Sequence, residues 1–173
     1  MTALRRNAGA PTSADHSLRK KSVVNVAAHL SEIAGRQPKR PAIVWRSGRD
    51  DAGRAVYSRL TFLELDRESD RYAHGLKRAG IVRGTRTILM VRPSPAFFAL
   101  TFALYKVGAV PVLIDPGMGR RRMVDCLREL AAEAFIGIPI AHLLRILHPS
   151  AFRSVKITIT VGRRWGWGGL RLP

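Results

Sequence analysis

A single cysteine, Cys126, stands in the whole sequence. No intrachain disulfide can form and no cysteine-based metal site exists, and both facts fit a cytosolic chain. The five histidines, His16, His29, His74, His142 and His148, never fall into a ligand spacing such as His-x-x-x-His, so no metal site is expected. Acids are outnumbered, 12 against 30 lysines and arginines, which leaves a formal net charge of +18. Such a charge favours nucleic acid or an anionic surface. Yet the bases are spread along the chain, and arginine dominates them as a GC-rich genome alone would produce. Aromatic residues make up 7% and are not interleaved with the bases, so no stacking platform for nucleotides is visible. We read general basicity ahead of a nucleic-acid site. Long apolar runs are missing too. The longest lies near 96–105 and stops at Lys106, short of the roughly 20 residues that a membrane-spanning helix needs. Residues 1–22 hold Arg5, Arg6, Arg19, Lys20 and Lys21 without an apolar block, which argues against a secretory signal. An Arg- and Ser-containing transit peptide stays open, and a disordered basic arm is the simpler reading.

What is present is the material of one domain: 173 residues, 46% of them hydrophobic. Asn25 is suited to cap a helix that ends near Arg36, with Val26, Leu30, Ile33 and Ala34 on its inner face. Ala42–Trp45 and Ala55–Tyr57 read as the strands of a hairpin around a turn-rich 47–53. Thr61 and Glu64 form a capping box. Behind it Leu65, Ser69, Tyr72, Leu76 and Ala79 recur at helical spacing, with Asp66, Arg67, Asp70, Arg71, Lys77 and Arg78 outward and Gly80 as the stop. Thr87–Val91 is a continuous apolar strand, the sign of burial on both faces. A largely apolar helix starts at Ser94-Pro95 and ends at Gly108, and Pro111 opens the strand Val112–Ile114. Strand, helix and strand within about 30 residues imply a right-handed crossover between parallel strands. The alternation continues with a helix carrying Met123, Leu127 and Leu130, a strand over 134–138, and a helix from Pro139 with Ile140, Leu143, Leu144 and Leu147 inward. A half-buried strand over 155–161 follows, and 162–169 breaks all periodicity. The fold class is α/β, a mostly parallel sheet with flanking helices.

Few residues in this pattern carry chemistry. Asp115 falls at a strand end, where ligands of parallel sheets bind, but Asp115-Pro116-Gly117 reads first as a turn. Arg120, Arg121 and Arg122 open a helix against its dipole, which an anion would offset and solvent also accommodates. Cys126 reads as a buried structural thiol, and Glu64 and Glu68 as capping and surface residues rather than an acid–base pair. The stretch Gly162–Gly169, with Arg163, Arg164, Trp165 and Trp167, suits a phosphate cradle or a hydrophobic plug and matches neither common phosphate-loop pattern.

Two stretches resemble a known family. Leu60-Thr61-Phe62-Leu63-Glu64-Leu65 is similar to the first core motif of the AMP-forming acyl-adenylate superfamily, which includes acyl-CoA synthetases. The run Leu104-Tyr105-Lys106-Val107-Gly108-Ala109-Val110-Pro111-Val112-Leu113-Ile114-Asp115-Pro116 resembles its second. The Gly162–Gly169 stretch resembles the fatty-acid-CoA-ligase-like subgroup, which includes the β-lactone synthetases of bacterial long-chain olefin biosynthesis. The likeness covers roughly residues 22–173, which makes 23–173 the N-terminal portion of an AMP-binding domain.

That resemblance implies ATP and magnesium as cofactors and a fatty or β-hydroxy acid as substrate. It implies an acyl-adenylate as product, passed to CoA or to the substrate's own hydroxyl. The family's phosphate loop, magnesium-serving Thr-Glu pair, ribose-binding Asp and C-terminal lysine have no matching positions here. No catalytic residue carries over, and the expectation is a truncated ligase, inactive alone, with apolar surface exposed. Two alternatives remain beside it: a small basic module that binds nucleic acid or an acidic partner, and a noncatalytic protein that pairs with a full-length homologue.

Overall fold

A computed structural model describes residues 25–114, 119–162 and 170–172. The basic arm, Asp115-Pro116-Gly117 and the 163–169 stretch lie outside them. Helix α1 (Val26–Arg36) precedes a hairpin of β1 (Pro41–Arg49) and β2 (Ala55–Thr61). Helix α2 (Phe62–Arg78) then leads into β3 (Arg86–Met90), α3 (Pro95–Val107) and β4 (Val110–Leu113). Next come α4 (Arg120–Glu129), β5 (Ala134–Gly137), α5 (Pro139–Leu147), a 3-10 turn at Pro149–Phe152, β6 (Ile157–Val161) and β7 (Leu170–Leu172). The five later strands form one all-parallel sheet in the order β4-β3-β5-β6-β7.

Local chemistry sets the boundaries. The Thr61 hydroxyl accepts from the Glu64 amide while the Glu64 carboxylate accepts from the Thr61 amide, so two otherwise orphaned donors at the α2 terminus are satisfied together. Ser94 caps α3 through the Phe97 amide, ahead of Pro95, which needs no donor of its own. Gly108 closes α3 with φ 74°, and a Cβ there would also press on the Arg83 side chain at 3.2 Å. Pro111 sits within the edge strand β4. Its neighbour Val110 donates toward β3, to the Thr85 carbonyl, so alternation turns the missing donor of Pro111 toward the open edge.

Alternation along the strands feeds two cores. Leu89, Ala134, Ile136, Ile159 and Val161 face α1, α2 and α3, and with Leu65, Leu76, Leu100 and Leu104 they build the larger one. The hairpin adds Ala42, Ile43 and Leu60 to it. Ile88 and Phe135 face the other way, onto Val124 and Leu127 of α4, Ala141 of α5 and Phe152. Three helices therefore cover one face, and two helices with a 3-10 turn cover the other.

Several inward faces differ from the sequence expectation. In α1 the buried residues are Ala27, Leu30 and Ala34, and Val26 is exposed. Strand β1 runs on to Arg49, through residues expected to turn. The last long strand starts at Ile157, not Val155, and buries Ile159, Thr160 and Val161 rather than alternating. Helix α5 shows the largest departure: Ala141 and His142 face the sheet, while Ile140, Leu143 and Leu147 point outward. Gly137 is the cause. It lies under the Phe135 ring, and a Cβ there would stand 2.7 Å from that ring and 3.1 Å from Ala141. This close approach seats the small Ala141 on the sheet, His142 anchors the helix to β6, and the large residues are rotated away.

The energetics are testable. Leu104→Ala, which empties a fully buried position, should lower unfolding free energy by about 2–5 kcal/mol in urea titrations. Thr61→Ala removes only a cap and should cost about 1 kcal/mol with an unchanged m-value.

Candidate functional site

Chain reversal creates the site. The step from β3 to β4 goes one way along the sheet, with α3 on the first face. From β4 the chain turns back across β3 to β5, with α4 on the second face, and continues to β6 by way of α5. Right-handed crossovers in opposite directions require helices on opposite faces. The segments leaving β3 and its two neighbours thus part at the carboxyl edge, where ligands of doubly wound sheets bind.

A crevice of about 610 Å³ opens at that point. Its walls are the ends of β3 (Leu89 to Pro93), β4 (Leu113, Ile114) and β5 (Ile138), with Phe97, Met123, Ile140, Ala141 and Leu144 from the helices. Nearly all of the described lining is apolar, and Arg92 is its one charged member. Arg92 is exposed and has no hydrogen-bond or acidic partner among the described residues. The crevice can hold an apolar chain or an apolar protein segment. Its described lining does not fit a triphosphate with its magnesium: Arg92 is the one charged side chain there, and no three His, Cys, Asp or Glu side chains cluster among the described residues.

A second, polar hollow of about 340 Å³ lies between α1, α2 and α3. There Lys106, the one charge in an otherwise apolar helix, reaches Asp66 and Asp70 of α2 at 2.7 Å each and also donates to the Asp66 carbonyl at 3.1 Å. The Lys106 side chain is only 12% exposed and that of Asp66 16%, so Asp66 is not the outward residue its spacing implied. Ser31 donates to Asp66, and Asn25 donates to the Tyr105 carbonyl, which ties α1 into the same network. Sequence reasoning missed this cluster, although a lysine inside an apolar helix was the available signal.

The remaining candidates divide plainly. Arg121 and Arg122 are exposed in the first turn of α4, which starts at Arg120 behind Gly119 and has no side-chain cap. Cys126 is exposed, which corrects the buried-thiol reading: Val124 and Leu127 define the inner side of α4, and position 126 falls outside their arc. Glu64 is held below the usual carboxylate range by the Thr61 amide and hydroxyl, and Glu68 by its bond to Arg71. Both are engaged structurally. His142 is fully buried, with Nε2 3.2 Å from the Ile159 carbonyl oxygen and 3.1 Å from the Thr160 hydroxyl. Burial pushes its pKa below the ordinary value, and the Arg145 charge adds to the shift.

With this geometry in view, the family follows. The chain belongs to the AMP-binding enzyme family, whose model matches residues 30–164. It is 53% identical over 154 residues to an olefin β-lactone synthetase of Stenotrophomonas maltophilia (strain K279a), covering 86% of this chain and 27% of that protein. An olefin β-lactone synthetase of Xanthomonas campestris pv. campestris is 48% identical over 155 residues, covering 89% and 28%. Coronafacic acid ligase from Pectobacterium brasiliense shares the fold, with a TM-score of 0.63 at 18% identity over 79% of this chain and 25% of that one. So does the N-terminal subdomain of Klebsiella oxytoca NpsA, at 0.55 and 24% over 65% and 27%. The chain spans about a quarter of the length of the curated relatives it matches. These likenesses favour an AMP-forming ligase over a small basic binding module. Among the described residues, no helix is long and apolar enough to cross a membrane.

Two measurements probe the site's supports. Lys106→Met strands Asp66 without its ammonium and should cost about 1–3 kcal/mol, read as a lower urea midpoint. For His142, whose pKa is depressed on folding, the unfolded chain takes up the proton first. Stability should therefore be full above about pH 6.5 and fall as pH drops below it, and His142→Gln should flatten that slope in urea midpoints between pH 7.5 and 5.5.

Proposed function

We propose that this chain is the N-terminal portion of an AMP-forming ligase of the β-lactone synthetase type, acting on long-chain acids in the cytoplasm. In the complete enzyme a substrate carboxylate oxygen attacks the α-phosphorus of ATP. The bond from that phosphorus to the departing pyrophosphate breaks, leaving an acyl-adenylate. Attack on the acyl carbon then expels AMP. The nucleophile is the substrate's own β-hydroxyl in a lactone-forming enzyme, or a CoA thiol in a synthetase, and we favour the hydroxyl. Identity of 53% over 154 residues to an olefin β-lactone synthetase carries this reading.

This chain's own part is scaffolding. Its reversal at β3 opens an apolar crevice, and its capping box and Lys106 network fix the helices behind that crevice. The charge that develops at the α-phosphorus needs preorganised donors, ordinarily the largest catalytic contribution. Magnesium and those donors belong to the remainder of the enzyme, so the 173-residue chain does not turn over by itself.

A covalent graft tests this. The matched span of the Stenotrophomonas maltophilia enzyme is replaced by this chain, and exchange of labelled pyrophosphate into ATP is followed with long-chain β-hydroxy acids. The graft should exchange and the isolated chain should not. A folded graft that exchanges with no fatty or β-hydroxy acid, or an isolated chain that does exchange, overturns the proposal.

A further inference from the structure

We propose that the polar hollow between α1, α2 and α3 is a binding site for a small phosphate that still carries a proton. The proposal does not rest on the ligase reading, because the hollow shares no residue with the apolar crevice. Asp70, His74 and Lys77 fall at helical spacing on one stripe of α2, and all three line the hollow. Lys106 lines it from α3, and the start of α1 forms the opposite wall. Ala27, Ala28 and Ala73 are too small to fill the space between them, which leaves about 340 Å³ open.

Charge and hydrogen-bonding capacity together select the ligand. The Lys106 ammonium is spent on the Asp66 carbonyl, the Asp66 carboxylate and the Asp70 Oδ1. Lys77 and His74 are exposed and have no acidic partner among the described residues. They offer an oxyanion one cation with three donors and one ring nitrogen. Asp70 sets the second condition. Its side chain is 55% exposed, and its Oδ2 takes no hydrogen bond among the described residues. An ionised carboxylate only accepts, so that oxygen requires a donor on the ligand. Sulfate and acetate at neutral pH bring no proton and meet like charge there. Phosphate presents bare oxygens to Lys77 and His74 and keeps an O–H for Asp70. Free phosphate and pyrophosphate share this chemistry, and the hollow has room for either.

Calorimetric titration of the 173-residue chain, without ATP or acid substrate, reads the site. Ionic strength is held constant, since a chain of net charge +18 gathers any anion loosely. Inorganic phosphate should bind saturably at one site per chain, with sulfate and acetate weaker by about tenfold or more. Lys77→Met and His74→Gln should each weaken phosphate by about tenfold, and Lys39→Met, at an exposed lysine outside the hollow, should leave it unchanged. Ala28→Trp fills the hollow without altering charge and should abolish binding. Asp70→Asn should narrow the gap between phosphate and sulfate. A pyrophosphate arm separates the sources: tighter binding than phosphate assigns the site to pyrophosphate, and weaker binding assigns it to free phosphate. Absence of saturation overturns the proposal. So do equal affinities for phosphate and sulfate, acetate as tight as phosphate, or equal losses in Lys39→Met and Lys77→Met. The same variants placed in the graft give the reading if the isolated chain does not stay in solution. An exchanging graft without the phosphate site sinks this proposal alone, and a phosphate-binding graft without exchange sinks the ligase reading alone.

Discussion

The right-handed sense of the strand–helix–strand connection is the constraint from which the rest of this structure follows. The chain steps from β3 to β4 in one direction and returns to β5 in the other, so α3 and α4 must lie on opposite faces. That single reversal divides the apolar residues into two cores and parts the segments above β3. The crevice is a geometric result of topology before it is a chemical feature, and the side chains at the strand ends then make it apolar.

Much of this was legible because it is written in local signals. Thr61 with Glu64, Ser94 with Pro95, and Gly108 each mark a boundary through backbone hydrogen bonding or a left-handed turn, which neighbouring residues alone decide. The family motifs proved readable for the same reason. Their described residues are junctions of the scaffold: a cap at the start of α2, and the core residue Leu104, the tether Lys106 and the stop Gly108 at the end of α3. What escaped depends on tertiary contacts. The rotation of α5 is set by Gly137 and Phe135 on another element, the inward turn of Asp66 by a lysine 40 residues away, and the exposure of Cys126 by which arc of α4 meets the sheet. The crevice was foreshadowed only by its position at strand ends. Its apolar walls come from six separate elements that no periodicity brings together.

Electrostatics and apolar packing divide the labour unevenly. Acids are scarce, and several described ones are spent on structure: Glu64 on a helix terminus, Asp66 and Asp70 on Lys106, Glu68 on Arg71. On the second sheet face Asp125 pairs with Arg128, and among the described residues Arg92, Arg121 and Arg122 stay exposed without an acidic partner. A buried histidine at β6 adds a proton-sensitive joint to that same thinner face. The first face, by contrast, is tied by the lysine network and covered by three helices.

Pro111 gives the sheet a polarity of growth. Its ring replaces the one outward amide hydrogen that a stray extended segment would meet first along β4, so the row of donors on that flank is broken. Misassembly by strand addition is thereby discouraged on the β4 side, and any lengthening of the sheet is left to the flank beyond β7.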